Sequence, residues 1–282
     1  MMTAWGEKRW FITGASTGFG KAMARGVLAG GGSVIATARD VGSLADLVAE
    51  GGDRVLPLAL DVTDPQAVLA SVAQAEATGG IDVLVNNAGY GFLGGVEESS
   101  DEEIARQFEV NFFGLLRMIR AALPGMRARS SGYIVNMSSI AGIRGMAGAG
   151  FYVSSKFALE GLSEALQGEC RGFGIRVLVV EPGYFRTEFS GRSLTTTISP
   201  HPDYAFLLRQ REKAAAADGV QPGDPDKALG AMLQAMDSET PPLRLLLGSD
   251  AYGFGTDTFA ARSAEIEAWR QVSESTDFAL PA

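Results

Sequence analysis

The chain is poor in the side chains on which several kinds of enzyme depend. Its 282 residues include one cysteine, Cys170, and one histidine, His201. A single cysteine excludes an intramolecular disulfide and fits a reducing compartment, and we expect Cys170 to be a small apolar residue of a helix. A single histidine leaves too little material for a Ser-His-Asp triad or a multi-histidine metal site. The sequence therefore predicts no metal centre, and we expect His201 at the surface or at a pocket rim.

Basic residues are also in deficit. The chain has 24 Lys plus Arg against 33 Asp plus Glu, a net charge of -9, which repels phosphate backbones and anionic lipid. No run of about 18 consecutive apolar residues is present, and the N-terminus lacks the apolar run of a signal peptide. We therefore expect a cytoplasmic protein with no nucleic-acid partner and no membrane partner.

What the chain does contain is a regular alternation of apolar runs and helical segments. Seven near-continuous apolar runs lie at 8–13, 33–38, 54–60, 81–87, 132–138, 175–181 and 243–248, and helical segments include 64–77, 100–129 and 152–173. Runs without polar alternation are typical of parallel strands covered on both faces. The pattern predicts an α/β fold: a single doubly wound Rossmann-type domain over 1–282, with a parallel sheet of about seven strands and helices on both faces. Ligands of such sheets bind at the carboxyl ends of the strands.

An irregular insertion separates the last two predicted strands. It covers 183–225 and contains the helical run AFLLRQREKAAAA. From its position at the ligand edge of the sheet we expect a lid or pocket wall, with a mobile surface excursion as the alternative.

A glycine-rich segment follows the first predicted strand. The stretch TGASTGFG carries Gly14, Gly18 and Gly20 at the start of a helix. Glycines let the backbone approach a diphosphate closely, and a helix N-terminus offers free N–H groups and a partial positive charge. The segment therefore predicts a dinucleotide site, although its spacing is GxxxGxG rather than GxGxxG.

Residues after the second and third strands bear on the choice of nucleotide. Where an NAD site has a carboxylate for the ribose 2'-hydroxyl, this chain has Ala38, followed by Arg39. A guanidinium suits a 2'-phosphate, so we predict NADP(H), with NAD(H) still possible because Asp40 comes next. Asp61 is expected either to bind the adenine amino group or to cap the following helix.

Six motifs occur together in one order. These are TGASTGFG, NNAG at 86–89, VNFFG around Asn111, NMSS at 136–139, YVSSK at 152–156 and PGYFRT at 182–187. In order and approximate spacing they resemble the short-chain dehydrogenases/reductases, over about 8–248. The fuller strings NNAGYGFLGGVEE, YVSSKFALEGLSEAL and EPGYFRTEF are most similar to the branch of 17β-hydroxysteroid and retinol dehydrogenases. The resemblance implies an oxidoreductase that transfers a hydride between NADP(H) and a carbonyl/secondary alcohol substrate.

The resemblance also implies a catalytic tetrad of Asn111, Ser139, Tyr152 and Lys156. Tyr152 would be the general acid/base, Ser139 would bind the substrate oxygen, and Asn111 would hold a water in a proton relay. Lys156, one helical turn from Tyr152, would bind the nicotinamide ribose. A phenol has a pKa near ~10 and a nearby cation favours phenolate, so we expect Lys156 to lower the pKa of Tyr152.

By the same resemblance the cofactor contacts are Gly14, Ser16, Thr17, Gly18, Phe19, Gly20, Arg39, Asp61, Val62, Asn87, Ala88, Gly89, Tyr152, Lys156, Pro182, Gly183, Phe185 and Thr187. Phe92, Leu93, Met146, Phe151, Tyr184, Phe185, Phe189 and Leu194 flank the expected site and suggest an apolar pocket.

Two other functions stay open, a sugar-nucleotide epimerase or dehydratase and a non-catalytic NADP-binding regulator. The predicted partners are a small-molecule carbonyl or alcohol and further copies of the chain. We expect a homodimer or homotetramer paired through 100–129 and 152–173, which the tail at 251–282 could block or extend.

Overall fold

The computed structural model describes residues 4–189, 191, 193–216 and 218–278. The strands are β1 (Arg9–Ile12), β2 (Ser33–Ala38), β3 (Val55–Ala59), β4 (Val83–Asn86), β5 (Gly91–Leu93), β6 (Gly132–Met137), β7 (Ile175–Pro182), β8 (Leu194–Thr196) and β9 (Arg244–Leu247). The helices are α1 (Gly18–Ala29), α2 (Ala45–Gly51), α3 (Pro65–Ala77), α4 (Asp101–Phe108), α5 (Leu115–Arg129), α6 (Gly150–Cys170), α7 (Ala205–Ala216), α8 (Pro225–Met236), α9 (Ser249–Ala268) and α10 (Arg270–Glu274).

All seven predicted strands form, and they pair in one parallel sheet of order β3-β2-β1-β4-β6-β7-β9. The predicted fold is confirmed. Consecutive residues such as Trp10 and Phe11 are both fully buried, and they belong to the two hydrophobic clusters on opposite faces of the sheet. Burial of both faces explains why the strands read as unbroken apolar runs.

Helix boundaries follow local capping chemistry. Asp64 accepts hydrogen bonds from Gln66 N and Ala67 N at the start of α3, and Pro65 occupies the first helical position, where its missing N–H costs nothing. The expectation that Asp61 caps this helix is therefore wrong.

The helix expected over 100–129 is interrupted. A π-helical turn, Glu109–Gly114, separates α4 from α5 and contains Asn111. Gly114 lies so close to the segment after β3 that an added Cβ would be 2.6 Å from Val62 Cγ2. The chain needs glycine there, and the widened turn lets the Asn111 side chain leave the helix surface.

The insertion at 183–225 is ordered in part by a second, two-stranded sheet. In it β8 pairs in parallel with β5, with Gly91 opposite Leu194, and α7 follows. Cys170 is buried at the end of α6, as expected. Among the described helices, none is both long and apolar enough to cross a bilayer.

Candidate active site

The carboxyl ends of the sheet strands open into one large cleft of about 1490 Å³. Of the predicted cofactor and catalytic residues, all line this cleft except Gly20 and Asn111, and Phe151 of the expected pocket residues does not line it either. The topology therefore brings together residues from 14 to 189 that are far apart in the chain.

The glycine-rich segment forms a tight cradle. Gly14 and Gly18 have φ of +67° and +52°, and a Cβ at Gly20 would lie 2.2 Å from the Gly14 oxygen. The segment thus requires glycine both for its left-handed backbone and for close packing. Gly20 lies beneath the cradle and does not form its wall.

A carboxylate occupies the mouth of this cradle. Helix α1 begins at Gly18, and the Thr17 side chain does not cap it. Gly18 N instead donates a 2.9 Å hydrogen bond to Glu188 Oε2, from the segment after β7. Glu188 was not among the predicted site residues. Its contact demonstrates that the N-terminus of α1 accepts an anion from the cleft side.

Thr13 connects the cradle to the end of β4, a role that its place in the glycine-rich motif did not predict. Its Oγ1 accepts hydrogen bonds of 2.9 Å from Asn87 N and from Ala88 N. Asn87 Nδ2 donates in return to Thr13 O at 2.9 Å and Gly14 O at 3.0 Å. The NNAG segment is therefore a structural partner of the glycine loop as well as a wall of the cleft.

Two arginines lie at the end of the cleft formed by β2 and β3. Arg39 and Arg106 both line it. Burial alone would raise the pKa of Asp61, but hydrogen bonds from Thr63 N and Oγ1 and the charges of Arg39 and Arg106 outweigh burial and lower it. The charges of both arginines therefore reach the carboxylate at this end of the cleft. Arg106, a lone arginine of α4, carried no sequence signal.

Tyr152 and Lys156 lie one turn apart on α6, both buried. Lys156 Nζ is 5.8 Å from the centre of the Tyr152 ring and donates a 2.7 Å hydrogen bond to Met137 O at the end of β6. The Tyr152 hydroxyl interacts with the Ser139 side chain. Three of the four tetrad residues therefore meet at one point of the cleft floor.

Burial dominates the ionisation of this pair. It raises the pKa of Tyr152 to about 12, although the Ser139 hydrogen bond lowers it in part. It lowers the pKa of Lys156 to about 8, although the carboxylate of Glu160 opposes this. The expectation that Lys156 lowers the pKa of Tyr152 is therefore wrong: desolvation raises that pKa, and the opposing contribution comes from Ser139.

Asn111 lies behind the cleft wall, in the π-helical turn. Its Nδ2 donates to Tyr90 O at 2.9 Å, and its Oδ1 accepts from Tyr90 N at 3.1 Å. The side chain therefore ties the turn to the segment after β4, next to Gly89.

The other end of the cleft is walled by apolar side chains. They include Phe92, Leu93, Met146, Phe189, Leu194 and Leu207. The Phe189 ring lies 5.8 Å from that of Tyr152. The apolar wall therefore comes directly up to the phenol, as the sequence suggested.

A buried ion pair anchors this wall. Glu98, 5% exposed, pairs with Arg211 of α7 and accepts hydrogen bonds from Gly95 N at 2.7 Å and His201 N at 2.9 Å. Burial would raise the pKa of Glu98, but these two amides and the guanidinium lower it. The His201 imidazole is half exposed and accepts from Asp203 N, so it lies at the surface.

A family model described as short chain dehydrogenase matches residues 8–197. The chain belongs to the short-chain dehydrogenase family. Oxidoreductase BOA17 of Botryotinia fuckeliana is 39% identical over 94% of this chain and 98% of the relative. Human retinol dehydrogenase 8 is 36% identical over 75% of this chain and 71% of the relative. A short-chain dehydrogenase from Streptomyces avermitilis has a crystal structure with a TM-score of 0.90 and 44% identity, covering 96% of this chain and 99% of that one.

Solved members of the family hold nicotinamide cofactors of both kinds. The structure from Burkholderia cenocepacia contains NADP and has a TM-score of 0.73 at 26% identity, over 92% of this chain and 96% of that one. The structure from Burkholderia phymatum contains NAD and has a TM-score of 0.74 at 25% identity, over 98% of this chain and 97% of that one. This chain is therefore an oxidoreductase of the short-chain dehydrogenase family, and the two solved relatives bind NADP in one case and NAD in the other.

Proposed function

We propose that the enzyme interconverts a carbonyl compound and its secondary alcohol with NADP(H), with Tyr152 as the general acid/base. The observation that carries the proposal is the buried Tyr152 hydroxyl, which meets Ser139 at the boundary between the glycine-loop end and the apolar end of one cleft. A proton donor at that boundary can act on a substrate atom beside the nicotinamide.

The residues present fit a dinucleotide. Gly14 and Gly18 line the cleft with left-handed backbone and no side chain, and the N-terminus of α1 already binds the carboxylate of Glu188. Gly14, Ser16, Thr17, Gly18 and Phe19 would hold the diphosphate. Asp61, Val62 and 87–89 would hold the adenosine, and Pro182, Gly183, Phe185 and Thr187 the nicotinamide. When bound, the cofactor supplies or accepts the hydride.

The preference for NADP(H) over NAD(H) rests on charge. Arg39 and Arg106 both line the adenosine end, where their charges lower the pKa of Asp61. A 2'-phosphate there would gain a guanidinium partner, whereas an unphosphorylated ribose would not.

The ionisation of Tyr152 suits carbonyl reduction. With a pKa raised to about 12, the phenol keeps its proton at neutral pH and can donate it to the oxygen of the carbonyl as the hydride arrives. Ser139 would donate a hydrogen bond to that oxygen. Lys156 would bind the nicotinamide ribose and would stabilise the negative charge that develops on the Tyr152 oxygen as it gives up its proton. Asn111 would place a relay water behind Lys156, with the turn fixed by its bonds to Tyr90.

The substrate in this proposal is apolar. Phe92, Met146, Phe189 and Leu194 line the end of the cleft next to Tyr152, and apolar walls with few polar groups bind apolar ligands. The proposal includes a homodimer or homotetramer paired through the two long helical segments, on which Phe113 and Phe157 remain exposed.

The test is an NADPH-oxidation assay against ketones, aldehydes and quinones, with wild type and Tyr152→Phe side by side. We expect turnover of at least one apolar carbonyl by the wild type and its loss in the variant. Turnover of nucleotide sugars without net NADPH consumption would instead favour the epimerase alternative. NADPH binding without any turnover would favour a regulator.

A further inference from the structure

The cleft has a different balance of charge from the chain as a whole. The chain carries a net charge of -9, but among the described residues that line the cleft the cationic side chains outnumber the acidic ones. The charged residues of the cleft are Arg39, Arg106, Arg144, Lys156 and Arg211, against Asp61, Glu109 and Glu188. An excess of one charge in a cleft attracts ligands of the opposite charge. We therefore asked which of these cations is left for a substrate.

Four of the five cations already have a partner or a proposed one. Arg39 and Arg106 lie at the adenosine end, where a 2'-phosphate is proposed to bind. Lys156 is the proposed partner of the nicotinamide ribose, and Arg211 is paired with the buried carboxylate of Glu98. The cofactor and the chain itself therefore account for four of the cations, and one remains.

The remaining cation is Arg144, which has no acidic partner. Within the part of the chain that the structure describes, no carboxylate forms a salt bridge with its guanidinium. Its Cζ instead lies 5.4 Å from the centre of the Phe254 ring on α9. A cation–π contact of this kind holds a guanidinium without neutralising it, so its N–H donors stay available to a ligand.

Arg144 belongs to the loop that joins two of the proposed catalytic residues. It follows Ser139 by five residues and precedes Tyr152 by eight. The loop packs on α9 beside Arg144, since a Cβ at Gly255 would lie 3.9 Å from Ile143 Cδ1. The attachment of the arginine is therefore fixed relative to the site of proton transfer.

The surroundings of Arg144 select the kind of anion. Met146 and Phe254 line the cleft with it, and Phe189 and Leu194 belong to the same apolar end. A phosphate monoester brings about two negative charges at neutral pH, which a lone guanidinium in an apolar wall does not balance. A carboxylate brings one charge and accepts two parallel hydrogen bonds from a guanidinium. The site therefore suits a carboxylate on an apolar skeleton.

We propose that the substrate carries a carboxylate, which Arg144 binds while the carbonyl of the same molecule reacts at Tyr152. The substrate class is an apolar oxo acid, with the corresponding hydroxy acid as the product of reduction. The inference rests on the proposed function, which gives the position of the reacting carbonyl. The hydride goes to the carbonyl carbon and the Tyr152 proton to its oxygen, and the carboxylate keeps its bonds throughout.

The first experiment measures binding, because binding does not depend on turnover. Isothermal titration calorimetry compares an unreactive phenylalkanoic acid with its primary amide, on enzyme saturated with NADP. The variant is Arg144→Gln, and the control is Arg209→Gln, which removes the same charge from an exposed position of α7 outside the cleft. We expect the wild type and the control to bind the acid about tenfold more tightly than the amide, and Arg144→Gln to bind both equally. Arg144 is exposed, so the variant should fold.

The second experiment measures NADPH-dependent turnover of oxo acids, with the ketone at the far end of chains of increasing length, and of their methyl esters. We expect the acids to have the lower KM, and Arg144→Gln to raise KM for the acids about tenfold while kcat and the kinetics of the esters stay at wild-type values. Equal binding of acid and amide by the wild type, or a preference for the acid that survives in Arg144→Gln, would overturn the proposal. Turnover of esters and acids with equal KM would also overturn it and would leave the proposed function intact. A preference for the acid in binding, lost in Arg144→Gln, without turnover of any carbonyl would support the carboxylate site and refute the proposed function.

Discussion

Glu188 stands where the cofactor diphosphate is proposed to bind, so its removal should strengthen cofactor binding. Its carboxylate accepts the Gly18 N–H at the start of α1, and a diphosphate must displace that carboxylate and then sit beside it. We predict that Glu188→Gln binds NADPH more tightly than the wild type does. This outcome is unusual, because substitutions in a binding site normally weaken binding.

The magnitude follows from the exposure of the contact. The interaction of an exposed carboxylate with a helix N-terminus is favourable by about 0.3–1 kcal/mol. The wild type loses this interaction when the cofactor displaces the Glu188 carboxylate. Repulsion between two charges about 4 Å apart in water adds about 1 kcal/mol before screening. Because Glu188 is exposed, we discount the sum to about 1 kcal/mol, which is a roughly fivefold lower Kd. The difference should shrink as salt screens the repulsion.

The assay is a fluorescence titration of NADPH at low and at high ionic strength. Glu212→Gln is the matched control, since Glu212 is an exposed carboxylate of α7 in the same insertion that does not line the cleft. An unchanged or higher Kd in Glu188→Gln would refute the reasoning. An equal gain in Glu212→Gln would mean that net charge, and not the contact with Gly18, is responsible.

Four further predictions concern the rest of the site. Tyr152→Phe keeps the ring and should bind NADPH normally, while single-turnover hydride transfer falls by about 10² to 10⁴; more than a tenth of the wild-type rate would contradict its role. Arg39→Ala should raise KM for NADPH by a factor that corresponds to about 1.5–3 kcal/mol of binding free energy, and it should leave KM for NADH nearly unchanged. An equal rise in KM for both cofactors would show that Arg39 does not bind a 2'-phosphate. Glu98→Gln leaves the Arg211 cation buried without its partner, so the free energy of unfolding should fall by about 3 kcal/mol and amide hydrogen exchange near His201 should accelerate. Exchange at the wild-type rate near His201 would show that the ion pair does not anchor the wall. Burial lowers the pKa of Lys156 in the folded protein to about 8, from its ordinary value of 10.5. Between these two pH values Lys156 is protonated in the unfolded chain and mostly neutral in the folded one. The free energy of unfolding should therefore rise with pH across that window by on the order of 3 kcal/mol relative to Lys156→Met; parallel urea-unfolding profiles for the two proteins would contradict this.

The sheet could be predicted from sequence because its strands are buried on both faces. Runs such as 33–38 and 175–181 leave no polar alternation, and each became a strand in the expected position. The two short strands β5 and β8 could not be found in this way. Three residues carry no periodicity, and the pairing of Gly91 with Leu194 spans more than a hundred residues of chain.

The positions of site residues that belong to sequence motifs could also be predicted. The ionisation of buried groups, and the site residues outside the motifs, could not. The spacing from Ser139 to Tyr152 placed both side chains at one point. The direction of the Tyr152 pKa came out opposite to expectation, because desolvation depends on how much of the fold covers the hydroxyl. Glu188 and Arg106 carry no motif, and only the fold brings them to the cleft.

The small sheet of β5 and β8 has a consequence for the order of folding. Its two strands can meet only after β4, β6 and β7 have brought the ends of the intervening chain together, and closing so long a loop has an entropic cost that only later contacts offset. We therefore expect the apolar end of the cleft to form last in refolding. Until then Phe189 and Leu194 lack their packing against Gly91, and a chain that folds slowly would be most prone to aggregate through this segment.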